Sequence, residues 1–179
     1  MPSYRIYEGN LHFITCTVID WIDVFTRPRY AEIIVDSLAF CQAAKGLIIH
    51  AYVIMPSHLH LIVSHQGKGL SNVLRDFKQF TSRSIVKAIH AEPESRREWL
   101  IDHFATAASL NPKVRHAQFW RPGNHSKVCY SFNFTQQKLN YIHQNPVKAR
   151  LVHEAHQYVW SSAQDYLGKR GPLEVTLLG

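Results

Sequence analysis

The first half of the chain combines apolar segments of strand length with one segment of helical spacing. Residues 11–19, LHFITCTVI, are rich in β-branched and aromatic side chains, which predicts a strand. Over residues 28–45 the apolar positions recur at helical spacing and Gly46 follows as a natural stop, so we expect a helix there. Residues 47–55 predict a second apolar strand, and residues 58–64 predict a partner strand that returns after a tight turn.

A long helix is predicted next, beginning at Ser71 as its N-terminal cap and running to about His90 with one apolar face. Residues 94–110 predict a further helix. The segment QFWRPGNHSKVCY, residues 118–130, is expected to form a hairpin or an irregular loop.

The last predicted helix begins at about Thr135, with that residue as its cap, and ends near Asn145. Its end is placed there because Pro146 disfavours helical backbone at the residue before it. The order strand, helix, strand, strand, helix is typical of an α+β fold with an antiparallel sheet.

A length of 179 residues is typical of one domain, with an expected core of about residues 10–152 and a C-terminal tail of about 153–179. No apolar run approaches the roughly 20 residues that a membrane span requires. The first ten residues lack the apolar stretch of a signal peptide. The three cysteines have no CxxC spacing, so neither a disulfide framework nor a thiolate zinc site is expected. We therefore expect a cytoplasmic protein without a membrane partner.

The chain is basic, with 20 Lys and Arg against 13 Asp and Glu and a formal net charge of +7. Such an excess favours a polyanionic partner, most often a nucleic acid. A generically basic soluble protein would have the same charge, so charge alone does not decide between the two.

Two histidines flank a single leucine in the segment MPSHLHLIVS, residues 55–64. Because alternate residues of a strand point to the same side, His58 and His60 are expected to project together, away from Leu59. Neutral imidazole is a common metal ligand, so the pair could bind a divalent ion. A pair that is structural or merely exposed would have the same spacing.

A second set of polar groups lies in the segment KLNYIHQNPVKARLV, residues 138–152. Tyr141 and Asn145 are four residues apart and would share one face of a helix. Two imidazoles and one amide oxygen would leave positions on a divalent cation open for a substrate oxygen. The alternative is that Tyr141 packs in the core and Asn145 only ends the helix.

The segment AYVIMPSHLHLIVS followed about eighty residues later by LNYIHQNPVKARLV resembles the single-tyrosine HUH transposases, specifically the REP-associated tyrosine transposases. The resemblance covers roughly residues 10–168 and includes HFITCTVIDWIDVFT, LRDFKQFTS and WSSAQDY. It implies a ferredoxin-like or RRM-like antiparallel sheet with packed helices. The HUH motif would lie on a central strand and the catalytic tyrosine on a C-terminal helix.

The resemblance also implies the roles of the candidate residues. His58 and His60 would bind the metal, Tyr141 would be the nucleophile, and Asn145 would be a third, amide-type ligand. The working ion would be Mg²⁺ or Mn²⁺, of which Mn²⁺ is the better chemical match to two histidines.

The implied activity is cleavage and rejoining of single-stranded DNA through a 5′-phosphotyrosine intermediate, at hairpin-containing repeats. Because one phosphodiester replaces another, rejoining would need no ATP. The base that takes the phenol proton stays open among His143, a metal-bound water and bulk water.

The sequence departs from the family pattern at two positions near these motifs. Ser57 stands where members often have asparagine, in the turn before the histidine pair. Arg150 stands where glycine is common, which removes a residue that adopts left-handed backbone easily.

Basic side chains on the outer side of the second long helix are predicted to contact DNA phosphates; these are Arg75, Lys78, Arg83 and Lys87. Arg121 is a further predicted DNA contact, whereas the neighbouring Phe119 and Trp120 are more consistent with a core or hairpin role. The expected partner is single-stranded or hairpin DNA, bound by a monomer or a homodimer.

Two other functions would fit parts of the sequence. A small zinc hydrolase would use His58, His60 and a third His or Asp, and would not depend on Tyr141. A non-catalytic RRM-like nucleic-acid-binding module would need neither histidine, although its strands lack the RNP aromatic pattern.

Overall fold

The computed structural model describes residues 9–179. Within this range lie the strands β1 His12–Thr17, β2 Leu47–Met55, β3 His58–His65 and β4 His125–Val128, and the helices α1 Pro28–Lys45, α2 Leu70–Ala91, α3 Arg97–Ser109 and α4 Phe132–Lys148. Short 3₁₀ helices lie at Ile19–Trp21, Val24–Thr26, Ala155–Gln157 and Ser162–Leu167. Residues 1–8 are outside the described part, and with them most of the segment expected to lack a signal peptide.

The strands form one antiparallel sheet in the order β2-β3-β1-β4. With α1 between β1 and β2, and α2 between β3 and β4, this is the ferredoxin-like arrangement, so the predicted fold class is confirmed. Strand β3, which carries His58 and His60, is central, as expected. The register places Thr15 of β1 opposite both His60 of β3 and His125 of β4, so these three side chains share one face of the sheet.

Each face of the sheet is covered by different helices. Helices α1 and α2 bury the main hydrophobic core, to which β3 contributes Leu59, Leu61 and Val63. Helix α4 packs over β2 and β3 on the other face, where a smaller cluster includes Phe13, Ala51, Val53, Ile62, Leu139 and Ile142. Because β3 alternates strictly, Leu59 and Leu61 face the main core, and His58 and His60 face the α4 side.

The predicted bounds are confirmed for both ends of α1 and for the end of α2, but not for the start of α2 or for either end of α4. Gly46 ends α1 with the left-handed backbone that glycine adopts without a steric cost, at φ 66°. Helix α2 begins directly after Gly69, so Ser71 lies inside the helix and is not its cap. The cap of α4 is Ser131, whose hydroxyl accepts a hydrogen bond from the Phe134 N–H at 3.2 Å, and Thr135 lies inside the helix.

Helix α4 does not end at Asn145 but continues through Pro146 to Lys148. Proline has no N–H to donate to the carbonyl of Ile142, so the helix continues through Pro146 with one hydrogen bond fewer. The Pro146 carbonyl also has a use, because it accepts a hydrogen bond from the Leu151 N–H at 2.9 Å. The preference of Asn145, the residue before proline, for non-helical backbone is therefore outweighed by the hydrogen bonds at the end of the helix.

That ending is a Schellman motif in which Arg150 adopts left-handed backbone, at φ 57°. The Arg150 N–H donates to the Val147 carbonyl at 2.9 Å and the Leu151 N–H donates to Pro146. A side chain at such a position costs about 1–2 kcal/mol relative to right-handed backbone. Arg150 therefore occupies a position at which glycine would be unstrained.

Replacing Arg150 with glycine is expected to raise the free energy of unfolding by about 0.5–1 kcal/mol, the relief of strain less the extra chain entropy of glycine. Urea denaturation measures the change. Arg150→Ala is the control, because it removes the charge but keeps a Cβ at the left-handed position. An equal gain from both variants would show that the charge, and not the backbone, is responsible.

Residues 118–130 are neither a hairpin nor only a loop. Phe119 and Trp120 are buried, and the Trp120 indole N–H donates to the Thr81 hydroxyl at 3.0 Å, so their expected core role is confirmed. Residues 125–128 then form β4, which pairs with β1, more than one hundred residues earlier in the sequence. This edge strand was missed because it is four residues long and its sequence, HSKV, is mainly polar.

The C-terminal tail packs along the outer edge of β2. The Ile54 N–H donates to the Trp160 carbonyl at 2.8 Å, the Thr176 N–H donates to the Ile49 carbonyl at 2.9 Å, and the Tyr158 hydroxyl donates to the Ile54 carbonyl at 2.9 Å. The tail thus satisfies backbone groups that an edge strand would otherwise expose. No helix among residues 9–179 is long and apolar enough to cross a membrane.

Candidate active site

His58 and His60 project together from β3, as the alternation of the strand predicts. Their ring centroids are 4.8 Å apart and their planes make an angle of 74°. His60 is 5% exposed, whereas His58 is partly exposed. The pair is therefore more than two exposed side chains, because burying an imidazole destabilises the folded state unless a partner binds its ring nitrogens.

One ring nitrogen of each histidine is hydrogen-bonded to a hydroxyl group. Thr15 Oγ1 lies 2.8 Å from His60 Nδ1, and Ser57 Oγ lies 3.1 Å from His58 Nδ1. A hydrogen bond at Nδ1 fixes the ring and leaves Nε2 as the nitrogen able to bind a metal. Ser57, one of the two departures from the family pattern, therefore orients a histidine of the pair.

His60 Nε2 is buried and has no hydrogen-bond partner among residues 9–179. Nearly all buried polar atoms in proteins are hydrogen-bonded, so an unpaired one requires an explanation. Burial lowers the pKa of His58 to about 4, and burial together with the charges of His58 and Lys138 lowers that of His60 to about 3. Both imidazoles are thus neutral at neutral pH, which is the form that binds metals.

Tyr141 reaches the histidine pair from helix α4. Its ring centroid lies 5.2 Å from that of His60, edge to face at 68°. The side chain is 38% exposed, so it has access to solvent while one side touches the pair. The alternative in which Tyr141 packs fully in the core is therefore wrong, because the ring lies at the border between the α4 cluster and solvent.

Asn145 lies on α4 one turn beyond Tyr141 and is partly buried. Its position on the same helix face is consistent with a ligand role, which stays a prediction. His143 does not lie with Tyr141: its Nε2 is 3.0 Å from Ser162 Oγ, and its ring contacts Tyr166 at 4.9 Å. The structure thus places His143 against the C-terminal tail, which argues against it as the base for the phenol.

Two residues at the site, Phe13 and Lys138, were not predicted from the sequence. Phe13 of β1 stacks on His60 at 5.3 Å and contacts Tyr141 at 6.0 Å. The Lys138 ammonium lies over the rings of Phe13 and Tyr141, at 5.1 and 5.5 Å from their centroids. Lys138 precedes Tyr141 by one helical turn, so the i, i+3 spacing is the only feature of the sequence that could have indicated it.

Trp21 is a third residue that the sequence did not indicate. Its indole is 54% exposed and meets the His58 ring edge to face at 5.2 Å. Asp20 and Trp21 both have left-handed backbone, at φ 50° and 58°, which costs about 1–2 kcal/mol for each. The Asp20 carboxylate lies 2.7 Å from His103 Nε2, a contact that supports this turn.

These residues fit a metal ion held by the histidine pair, since the unpaired His60 Nε2 is the atom that such an ion would engage. Among residues 9–179 no group of three or more His, Cys, Asp and Glu side chains is placed to hold a metal. The third His or Asp that a zinc hydrolase would need is thus not brought to the pair. An amide such as Asn145 lies outside that set of side chains.

The predicted DNA-contacting residues fall into three groups. The Lys78 ammonium donates to the carbonyls of Arg121 and Gly123, at 2.9 and 2.8 Å, and burial lowers its pKa, so it tethers the segment before β4. The Arg75 guanidinium donates to Asp76. Arg83 and Lys87 are exposed on α2 and line a groove of about 940 Å³.

The groove separates α2 from the segment 113–120, and its lining includes Lys113 and Arg115 but no Asp or Glu among the described residues. It lies on the α1–α2 side of the sheet, opposite the face that holds His60 and Tyr141. Arg121 is exposed and its carbonyl accepts from Lys78. The structure thus separates Arg83 and Lys87 from the histidine–tyrosine cluster. The Arg121 backbone lies closer to that cluster, because its N–H donates at 2.8 Å to the carbonyl of Thr17, the residue opposite His58 in the register.

The fold and the site together define a ferredoxin-like α+β domain with a histidine pair on its central strand and a tyrosine from a helix against the same face. Among solved structures, the chain is similar to a REP-associated tyrosine transposase bound to a REP hairpin, with a TM-score of 0.67 at 18% identity over 100% of this chain and 92% of that one. The predicted resemblance is thereby confirmed at the level of the fold.

A crystal structure of a proposed transposase from Deinococcus radiodurans R1 also matches, with a TM-score of 0.44 at 17% identity over 79% of this chain and 95% of that one. This TM-score is too low to establish a shared fold. No protein-family model and no curated protein sequence matches the chain.

Proposed function

We propose that the protein is a transposase of the single-tyrosine HUH type. It cleaves and rejoins single-stranded DNA at hairpin-containing sequences through a 5′-phosphotyrosine intermediate. The observation that supports this most strongly is the contact between the Tyr141 ring and His60, at 5.2 Å, because the two motifs are distant in sequence. The similar fold of a REP-associated transposase bound to a hairpin adds support.

In the proposed reaction the Tyr141 oxygen attacks a phosphodiester of the DNA strand. A bond forms between this oxygen and phosphorus, and the bond from phosphorus to the 3′ oxygen of the preceding nucleotide breaks. The phenol proton passes to solvent water, and the leaving 3′ oxygen takes a proton from water. Attack on the phosphotyrosine by another 3′ hydroxyl reverses these changes and rejoins a strand.

The chain's own residues orient the participants. The contacts of the Tyr141 ring with His60 and Phe13 limit the directions of its hydroxyl, and its exposure leaves room for a DNA strand. Thr15 and Ser57 hold the two imidazoles. A divalent ion, Mg²⁺ or Mn²⁺, held by His58 and His60 with Asn145 as a third ligand, would polarise the phosphate.

The proposed partner is single-stranded or hairpin DNA, and the proposed location is the cytoplasm. One chain contains both the histidine pair and the tyrosine in contact, so a monomer would hold a complete site. A homodimer with the same site in each copy is equally compatible with the proposal.

The basic groove on α2 is proposed to bind the phosphates of the DNA. Neutralising Arg83 and Lys87 together, as Arg83→Gln with Lys87→Gln, should weaken binding of hairpin DNA. The logarithm of the DNA association constant falls as the logarithm of the salt concentration rises. The double variant should make this dependence less steep by about 2, roughly one for each lost phosphate contact. Fluorescence anisotropy at several salt concentrations measures both effects.

The control for this pair is Arg29→Gln, because Arg29 is a surface arginine already paired with Glu92 at 2.9 Å. It should leave the salt slope unchanged. If the double variant binds hairpin DNA with the wild-type slope, the groove does not contact phosphates.

The function itself is tested by incubating the protein with hairpin-containing single-stranded DNA and Mn²⁺ and examining the products on a denaturing gel. A covalent adduct between protein and DNA, absent in chelator, is expected. A non-catalytic RRM-like module would bind the DNA without forming an adduct. A zinc hydrolase would cleave its substrate without a covalent product and without dependence on Tyr141.

A further inference from the structure

Lys138 occupies an unusual position for a lysine beside the candidate active site. Its ammonium lies over three aromatic faces, at 5.1 Å from the centroid of Phe13, 5.2 Å from that of Phe134 and 5.5 Å from that of Tyr141. The side chain is partly buried. Neither a hydrogen bond nor an ion pair to its ammonium is present in the described part of the chain. The contacts that hold the Lys138 ammonium are therefore cation–π contacts with these three rings.

Aromatic rings attract an ammonium without neutralising it, because they contain no opposite charge. The full charge of Lys138 thus remains directed at the cluster of Phe13, His60 and Tyr141. Lys138 is also close to the histidine pair, since the Phe13 ring that its ammonium contacts stacks on His60 at 5.3 Å. A surface lysine with no role would more commonly extend into water.

We propose that Lys138 is a catalytic residue whose ammonium binds a non-bridging oxygen of the phosphate that Tyr141 attacks. This inference rests on the proposed function of the site and adds a phosphate-binding group to it. The ring contacts hold the ammonium on the Tyr141 side of α4, where a phosphate bonded to the tyrosine oxygen would come within reach. Phe13 and Phe134 are positioning residues, because they act through Lys138.

The contribution fits the chemistry of the step. While the tyrosine–phosphorus bond forms and the bond to the 3′ oxygen breaks, negative charge is spread over the non-bridging oxygens. A preorganised cation stabilises that charge without reorganisation in the reaction, and removing one such group typically costs about 10²–10³ in rate. Lys138 transfers no proton in the proposed step.

The test compares Lys138→Met, which keeps an unbranched chain over the rings, with Lys138→Arg, which keeps the charge. Lys127→Met is the matched control, since Lys127 is exposed on β4 directly opposite Phe13 in the register. Single-turnover adduct formation is measured with hairpin DNA whose scissile linkage is either a phosphodiester or an uncharged methylphosphonate. Affinity is measured separately with DNA bound in chelator.

On the phosphodiester, Lys138→Met should react about 100-fold more slowly than wild type, with affinity changed by less than about threefold. Lys138→Arg should retain most of the rate, and Lys127→Met should lose little. On the methylphosphonate the difference between wild type and Lys138→Met should largely disappear. This dependence of the rate difference on the charge of the linkage is specific, because a merely structural role of Lys138 would slow the reaction of both linkages equally.

Equal loss on both linkages, or a Lys138→Met rate equal to that of Lys127→Met, would overturn the role of Lys138 while leaving the proposed function intact. A wild-type protein that forms no adduct would overturn both. If Lys138→Met lacks a cooperative thermal transition, Lys138→Gln is measured in its place, with the same two outcomes.

Discussion

Replacing Tyr141 with phenylalanine is expected to abolish covalent capture of single-stranded DNA while leaving binding intact. The phenylalanine ring can keep the contacts with His60 and Phe13, at 5.2 and 6.0 Å, because they involve the ring and not the hydroxyl. Only the nucleophile is lost. Loss of a nucleophile typically reduces a rate by about 10⁶, which is below detection on a gel.

The measurement is a denaturing gel of the protein with labelled hairpin DNA and Mn²⁺, together with an anisotropy titration of the same DNA. Tyr130→Phe is the matched control: Tyr130 is 77% exposed and stacks on Phe134 beside the start of α4, so it also lies near the site. Its adduct should equal that of wild type. An undiminished adduct from Tyr141→Phe would exclude Tyr141 as the nucleophile.

The residues that could be predicted from the sequence are those whose positions follow from local periodicity. The shared face of His58 and His60 follows from the alternation of a strand, and α1 begins and ends at the predicted residues, 28 and 45, because Gly46 terminates it. The pairing of Tyr141 with His60 was expected from two motifs whose order and spacing resemble a known family. Periodicity alone could not have brought them together.

The features that could not be predicted depend on contacts between distant segments. Strand β4 has little apolar content, and what fixes it is pairing with β1, including a hydrogen bond at 2.9 Å between the ring of His12 and the Ser126 hydroxyl. The position of Lys138 depends in the same way on Phe13, which β1 supplies. Long-range contacts of this kind leave no local pattern in the sequence.

The starts of α2 and α4 and the end of α4 were mispredicted for a related reason. Pro146 was expected to stop α4, but the preference of the preceding residue is weaker than the hydrogen bonds of the Schellman motif formed by Arg150 and Leu151. Thr135 and Ser71 have side chains suitable for caps, yet the tertiary structure begins each helix earlier. Propensity at a helix end is thus a weak guide where packing decides the length.

Replacing His60 with leucine is expected to remove metal-dependent adduct formation without a matching loss of stability. In wild type, His60 Nε2 is buried without a partner, which opposes folding in the absence of a metal. A leucine of similar bulk removes that unsatisfied atom but leaves the partly exposed Thr15 hydroxyl without its 2.8 Å contact. The two changes oppose each other, so the free energy of unfolding in chelator should stay within about 1 kcal/mol of wild type.

The two proteins should differ once Mn²⁺ is added. A ligand that binds the folded state raises the melting temperature, so wild type should be stabilised by the ion and His60→Leu should not. The measurement is thermal unfolding with and without Mn²⁺, beside the denaturing gel. His65→Gln is the control, because His65 is on the same strand but contacts the Lys45 carbonyl at 2.9 Å, away from the site.

A residue retained only for packing would show the opposite pattern, with lower stability in chelator and an unchanged response to the ion. A melting temperature that Mn²⁺ raises equally in wild type and His60→Leu would place the metal elsewhere. If His60→Leu loses both the Mn²⁺-induced rise in melting temperature and the covalent adduct but keeps its stability in chelator, His60 is retained for metal binding. Its buried nitrogen would then contribute nothing to the fold that leucine cannot supply.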